Sequence, residues 1–302
     1  MDKEQVILTA YCLAYNHEKY IGKTLEGFVN QRTSYRYKVI VHDDASTDGT
    51  AAIIKEYADK YPETIVPVFQ KENQYSRHVN IFESFIKPLL EGKYIAACEG
   101  DDYWCDPEKL QRQIDFMESH PDFSACVHNT EKITEDGSPT GKFYNKSQVD
   151  HELPADETIR YSSHFIHLNS VVYRREYREN KPAEFSMPKV GDSPLIIYLA
   201  TVGRIWYMAP VMSKYRVFSS GSWTKAMNEN KNLKIEHSKN AALVYEKMNE
   251  YTGYKYKRSF GYLINYSKAR TAIYEKRYSE ILLHPSYWMI FIKKIISKIS
   301  GR

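Results

Sequence analysis

Three stretches in the first third of the chain place acidic and small polar side chains side by side. They are Tyr15-Asn16-His17-Glu18, His42-Asp43-Asp44-Ala45-Ser46-Thr47-Asp48-Gly49-Thr50 and Glu99-Gly100-Asp101-Asp102-Tyr103-Trp104. The three carboxylates of Glu99, Asp101 and Asp102 repel one another within one short turn, and a divalent cation with oxygen ligands is the usual relief. Short carboxylates suit Mg or Mn, which take one or two protein carboxylates and fill their other positions with water and substrate phosphate. Asp43 and Asp44 can accept a hydrogen bond from a nucleobase N–H or a ribose hydroxyl. Neither GxxxxGK[ST] nor GxGxxG occurs, which leaves the cation to hold a diphosphate. Taken singly, each cluster reads also as a turn with capping residues, a reading that Ser46, Thr47 and Asp48 fit. The chemistry requires that the clusters share one edge of the fold.

The elements around them meet that requirement. Strand-type runs lie at Val6 to Ala14, Tyr37 to Val41, Thr64 to Phe69, Tyr94 to Cys98 and Phe123 to Val127. Between them, helical spacing groups Ile21, Leu25, Phe28 and Val29, then Ile53, Ile54 and Tyr57, then Ile81, Phe85 and Leu89, then Leu110, Ile114 and Met117. Strands alternating with helices predict an α/β sheet, and ligands of such sheets bind outside the carboxyl ends of the strands, where the three clusters fall. Asp106, Pro107 and Glu108 form a helix start. From 129 to 163 a polar, Gly- and Pro-punctuated stretch predicts a hairpin or loop excursion. Strand-like runs at His164 to Tyr173 and Val211 to Val217 flank a helical run at Ser193 to Ala200 and are expected to extend the same sheet. After Ser222 the chain reads as helices, so two regions are expected, 1–220 and 221–302.

At this point the residues carry a resemblance. Tyr15 to Ile21, Asp43 to Thr50, and Gly100 to Trp104 followed by Asp106-Pro107 resemble, in order and spacing, the family 2 inverting glycosyltransferases. The likeness covers about residues 4–130. It extends to about 225 through Asn169 to Arg174, Gly191-Asp192, Tyr215-Arg216 and Gly221-Ser222-Trp223. It implies a GT-A fold, a Rossmann-like mixed sheet flanked by helices, with a helical C-terminal extension beyond it. It also implies that Asp102 and Asp101 hold Mn or Mg on the donor diphosphate, with Glu99 where the family has Asp. Asp44 would meet the uracil N3–H of a UDP-sugar, with Asp43 beside it. Ala14, Tyr15, Asn16 and Glu18 would line the nucleotide, and Arg77 and Asn80 would add base and phosphate contacts. Asp192 would be the catalytic base; by sequence alone it reads equally as the cap of a helix before Ser193-Pro194. Some relatives carry a His after the Tyr-Arg pair, where this chain has Phe218.

Composition limits the classes further. With 302 residues, 42% hydrophobic and 26% charged, the chain can bury a sizeable core and is not disordered. Cys12, Cys98, Cys105 and Cys126 show no CxxC spacing, so a zinc ribbon or disulfide framework is not expected. No signal-peptide pattern opens the sequence, and no window approaches the roughly 20 apolar residues of a membrane span. The His residues form no HExxH, and His42, His128, His164 and His167 are read as structural. Tyr103, Trp104 and Trp223 are read as sugar-stacking or core residues.

The net charge of +4 is uneven: from Lys255 onward eleven Lys or Arg face only Glu275 and Glu280. Aromatic residues and Ile alternate with Lys through Tyr287 to Ile299, which suits a helix lying on an anionic membrane surface or packed on its own domain. The acidic first half opposes nucleic-acid binding. The expectation is therefore a cytoplasmic enzyme, peripheral on the inner face of the cell membrane. It would transfer a sugar from a nucleotide-sugar to a saccharide or glycolipid hydroxyl. The alternatives are a non-catalytic GT-A-like or membrane-surface binding protein, and a nucleotidyltransferase.

Overall fold

The computed structural model describes residues 5–186, 190–217, 227, 229–288, 290 and 292. They fall into two compact units: 1–153, 163–180 and 202–221 form the first, and 154–162, 181–201 and 222–302 the second.

The first unit is built on a mixed sheet of β1 (Val6–Ala14), β2 (Arg36–Asp43), β3 (Ile65–Phe69), β4 (Tyr94–Ala97), β5 (Tyr103–Trp104), β6 (Phe123–Ile133), β7 (Pro139–Phe143), β8 (His151–Leu153), β9 (Val172–Arg174) and β10 (Arg204–Arg216). Their order is β3-β2-β1-β4-β9-β6-β10-β5, with β7 on β6 and β8 on β10. β1 to β4 are parallel where they pair, as are β6 and β10; β9 runs antiparallel between β4 and β6. β1 has β2 on one side and β4 on the other, so the strand order reverses there, and the carboxyl ends of strands at such a reversal are where sheets of this kind bind ligands. Nearly every position of β1 is apolar and buried, as a parallel strand covered on both faces requires. Its polar exception, Thr9, is satisfied: its hydroxyl donates to the Glu91 carbonyl at 2.8 Å and accepts the Glu91 amide at 2.9 Å.

Helices α1 (Ile21–Val29), α2 (Thr50–Lys60) and α3 (Lys109–Ser119) cover this sheet. They bury Ile21, Leu25 and Phe28, then Ile54, then Leu110, Ile114 and Met117, the faces that the spacing predicts. Between β3 and β4 the expected face is not the buried one. Phe82 and Ile86 are inside, whereas Leu89 is exposed. A π-turn over Phe82–Ile86 runs into a 3-10 turn over Lys87–Leu89, and both depart from 3.6 residues per turn, which moves the buried positions.

The stretch from His164 to Tyr173 also differs from the expected strand. Its start closes helix α4 (Ala155–Phe165), a 3-10 turn covers Leu168–Ser170, and only Val172–Arg174 pairs as β9. A short apolar run does not by itself distinguish strand from buried helix end. The polar excursion resolves into the hairpin β6–β7, then β8, then α4.

In the second unit, α6 (Ser193–Val202) is buried along nearly its whole length, from Pro194 to Ala200. α7 (Lys231–Tyr251) and α8 (Lys257–Tyr274) pack along each other across a turn in which Gly253 and Tyr254 have positive φ. α9 (Tyr278–Leu283) follows, and α5 (Arg175–Glu179) belongs to the first unit.

Candidate functional site

The strand ends bring the three polar stretches together, and backbone bonds lock them there. The Asp44 amide donates to the Ala14 carbonyl at 2.9 Å, and the Gly100 amide donates to the Leu13 carbonyl at 3.0 Å. Gly100 is required by closeness: a Cβ would lie 2.7 Å from His17 Nδ1 and 3.1 Å from the Ala14 Cβ. Ala14 is buried, while Tyr15 and Glu18 are exposed at the rim. Asn16 takes a left-handed φ of 55° and accepts the Thr47 amide on its Oδ1 at 2.8 Å. Ser46 accepts the Asn16 amide at 2.9 Å, and Thr50 Oγ1 accepts the His17 amide at 2.8 Å. Asp48 accepts the Glu18 and Thr50 amides at 3.1 and 3.0 Å. Burial pushes the Asp48 carboxyl up, but the Thr50 hydroxyl and these amides outweigh it and hold the group below the ordinary range. Ser46, Thr47 and Asp48 therefore serve as clamp and cap.

Asp43 is buried; its Oδ2 accepts the Ser46 amide at 3.1 Å. Asp44 holds the next loop: its two oxygens accept the Gln74 and Tyr75 amides at 2.7 and 3.0 Å. That loop carries Arg77, exposed and paired with Glu72, and Asn80, whose Oδ1 accepts the Glu83 amide at 3.2 Å.

The acidic turn after β4 is held from below. Thr24 of α1 donates its hydroxyl to the Gly100 and Asp102 carbonyls at 3.0 and 2.5 Å. Asp101 is 7% exposed and Asp102 only 1%, whereas Glu99 is exposed. Asp102 Oδ1 accepts the Arg216 amide at 2.9 Å and Oδ2 accepts Asn169 Nδ2 at 3.1 Å. The Arg216 guanidinium donates to the Asp101 carbonyl at 3.0 Å and to the Glu135 carbonyl at 2.6 Å, and lies over the Tyr20 ring. Asn169 is fully engaged: its Oδ1 accepts Ser213 Oγ at 2.8 Å and Thr130 Oγ1 at 3.2 Å. Burial, then the neighbouring Asp101, pushes the Asp102 carboxyl well above the ordinary range.

A turn that resists full ionisation in this way is one that a cation would relieve. Among the described residues no three His, Cys, Asp or Glu side chains form a cage of their own. Mg or Mn bound through one or two carboxylates and substrate phosphate needs no such cage, so the donor set fits that class of ion.

Three residues with no role in the motif reading, Thr24, Asn169 and Arg216, thus form the floor of the turn. Asn169 and Arg216 lie in stretches that carry the resemblance; Thr24 has no sequence signal beyond its place on the inner face of α1. Trp104 is a core residue: it is buried edge-on to Phe28 and donates its N–H to the Asn169 carbonyl at 3.0 Å. Trp223 and Phe218 lie outside the described residues. Burial lowers the pKa of His42 and, further, that of His128, and brings His167 down to about 4, while His164 is exposed on α4.

Asp192 belongs to the second unit. It is exposed, it follows Gly191 at φ 77°, and its carbonyl accepts the Leu195 amide at 3.0 Å at the start of α6.

A model described as glycosyl transferase family 2 matches residues 11–180. An uncharacterised protein of Mycobacterium tuberculosis is 37% identical over 217 residues, which are 72% of this chain and 60% of that protein, so the match spans less than two thirds of its length. A teichuronic acid biosynthesis glycosyltransferase of Bacillus subtilis, TuaG, is 31% identical over 222 residues, 70% of this chain and 81% of that one. Among solved structures, S. aureus TarS 1-349 in complex with UDP-GlcNAc aligns at TM-score 0.54 and 14% identity, over 89% of this chain and 81% of that one. The mannosyltransferase PcManGT from Pyrobaculum calidifontis, in complex with GDP-Man and Mn2+, aligns at TM-score 0.54 and 15% identity, over 98% and 82%.

Proposed function

The chain belongs to glycosyltransferase family 2 and has the GT-A type of fold, and from that premise we propose that it transfers a sugar with inversion from a nucleoside diphosphate donor to a saccharide or lipid-linked saccharide hydroxyl. The observation that carries this reading is the acidic turn Glu99 to Asp102, with Asp101 and Asp102 buried, fixed at the strand-order reversal beside the Asp43-Asp44 turn. Ala14, Tyr15, Asn16 and Glu18 form the nucleotide wall in this proposal. Asp44 fixes the turn that carries Arg77 and Asn80, and each of its oxygens keeps a lone pair for a base N–H.

A divalent cation would be held by Asp101 and Asp102, with Glu99 beside them, and would stabilise the departing diphosphate. Asp102 is fixed from below by the Arg216 amide and Asn169 Nδ2, and each of its oxygens keeps a lone pair for the cation. Asp192 accepts the proton of the acceptor hydroxyl as that oxygen bonds to the anomeric carbon and the bond from that carbon to the diphosphate oxygen breaks. UDP is the favoured donor nucleotide. TarS was solved with UDP-GlcNAc, while PcManGT was solved with GDP-Man. The name of TuaG supports an acceptor in cell-surface polysaccharide synthesis.

Calorimetric titration with UDP, GDP, CDP and dTDP, each with Mn and with EDTA, tests the donor site. One nucleotide should bind only with metal, and Asp101→Asn should weaken it at least about tenfold without lowering the unfolding midpoint. Binding of none of the four would remove the metal-dependent transferase reading.

A further inference from the structure

Among the described residues of 278–292 there are two sets of apolar side chains, one buried in a cluster of the second unit and one exposed. Ile281 and Tyr287 are buried with Ala269, Ala272 and Ile273, and Ile290 packs against that cluster. Leu282 and Leu283, in contrast, are 71% and 78% exposed, and Trp288 and Ile292 are 48% and 52% exposed. The Trp288 indole is fixed at the end of α9, because its N–H donates to the Ile281 and Leu282 carbonyls at 3.0 and 3.2 Å. Packing on the protein therefore explains half of the apolar pattern and leaves the other half in water.

The chain from Lys255 onward is strongly basic, with eleven Lys or Arg against two carboxylates, although 278–292 itself holds no Lys or Arg. Of those two carboxylates, Glu275 pairs with Arg277 and Lys239, and Glu280 pairs with Arg277. Lys276 beside them is exposed. The sequence continues Lys293-Lys294-Ile295-Ile296-Ser297-Lys298, outside the described residues.

We propose that Leu282, Leu283, Trp288 and Ile292 dock this unit on an anionic lipid surface, with the cationic excess of the chain from Lys255 onward supplying the electrostatic attraction. A protein groove would cover the leucines but gives no reason for so large an excess of cations. A bilayer interface with anionic headgroups accounts for both. Tyr278, half exposed one turn before Leu282, and Trp288 are amphipathic rings favoured at that depth. Among the described residues no helix is long and apolar enough to cross a membrane, so the surface is met from one side. The proposal makes no use of the transferase reading, and either can fail without the other.

The test is sedimentation of the full chain with vesicles of phosphatidylcholine alone or with about one third phosphatidylglycerol. The chain should bind the mixed vesicles, bind pure phosphatidylcholine weakly, and lose binding as salt rises. Leu282→Glu with Leu283→Glu should reduce partition at least about tenfold at an unchanged unfolding midpoint. Lys293→Glu with Lys294→Glu should reduce it by roughly fivefold or more for each lysine. No vesicle binding, or equal binding to both vesicles that neither variant alters, would overturn the proposal. So would a dimer, seen by sedimentation velocity without lipid, that the leucine variant dissolves, because the leucines would then meet a second copy.

Discussion

Replacing Asp192 by Asn keeps its shape and its place before α6 but removes the proton acceptor. In the proposed reaction Asp192→Asn should bind nucleotide with metal as the wild type does, while turnover of donor falls by about 10³-fold. Unchanged turnover would remove Asp192 as the base. The sequence carries Asp192 through its family-like position after Gly191, and the structure adds that it is exposed at a helix start. For the acidic turn the sequence stops sooner. Asp101 and Asp102 are neighbours of one type, and nothing in their order says which carboxylate is turned toward the Arg216 amide and Asn169. Trp104 is similar: the sequence leaves it open between sugar stacking and the core, and the structure packs its ring on Phe28 in the core.

At the scale of elements, β1 to β4 and their carboxyl-end turns are legible because mainly apolar runs are followed by clustered polar residues at the strand ends. The π-turn at Phe82–Ile86 is not legible, since one extra residue per turn leaves no mark in composition. α3 holds a feature that periodicity also conceals, the buried Lys109. Its Nζ donates to Gln113 Oε1 at 2.8 Å and lies 4.0 Å from the Trp104 ring centroid. Burial lowers its pKa to about 7, against weaker opposing pulls from Cys98, Cys126 and Asp106. An unfolded lysine titrates near ~10.4, so between these values the unfolded chain binds more protons than the folded one, and this group makes stability rise with pH. Lys109→Met should therefore be more stable than the wild type at pH 7, an advantage that shrinks by on the order of 3 kcal/mol toward pH 10. Denaturant unfolding of both proteins at the two pH values measures it, and a pH-independent difference would show that Lys109 does not titrate in this window.

At the scale of the molecule, the two units are interleaved along the chain. Residues 154–162 and 181–201 group with the helices after 222, although they sit between strands of the first unit. A linear reading finds the helical region after Ser222 but not these two segments, because their partners lie far away in sequence. α6 is apolar around nearly its whole circumference and is buried from Pro194 to Ala200. A fragment that stops at residue 220 keeps α6 and loses α7, α8 and α9. It should bind a hydrophobic dye and melt over a broader and lower range than the whole chain. A sharp melt at the parent temperature, without dye binding, would show that the first unit and α6 are sufficient together.

The amide of Asn169 has a further consequence. One end gives a proton to Asp102 Oδ2 while the other receives protons from Ser213 and Thr130, so the side chain has a fixed polarity. An aspartate there would set two anions face to face, and a leucine would strand donors and acceptors alike. The position thus works as a one-way connector, and its wording is enforced from both ends.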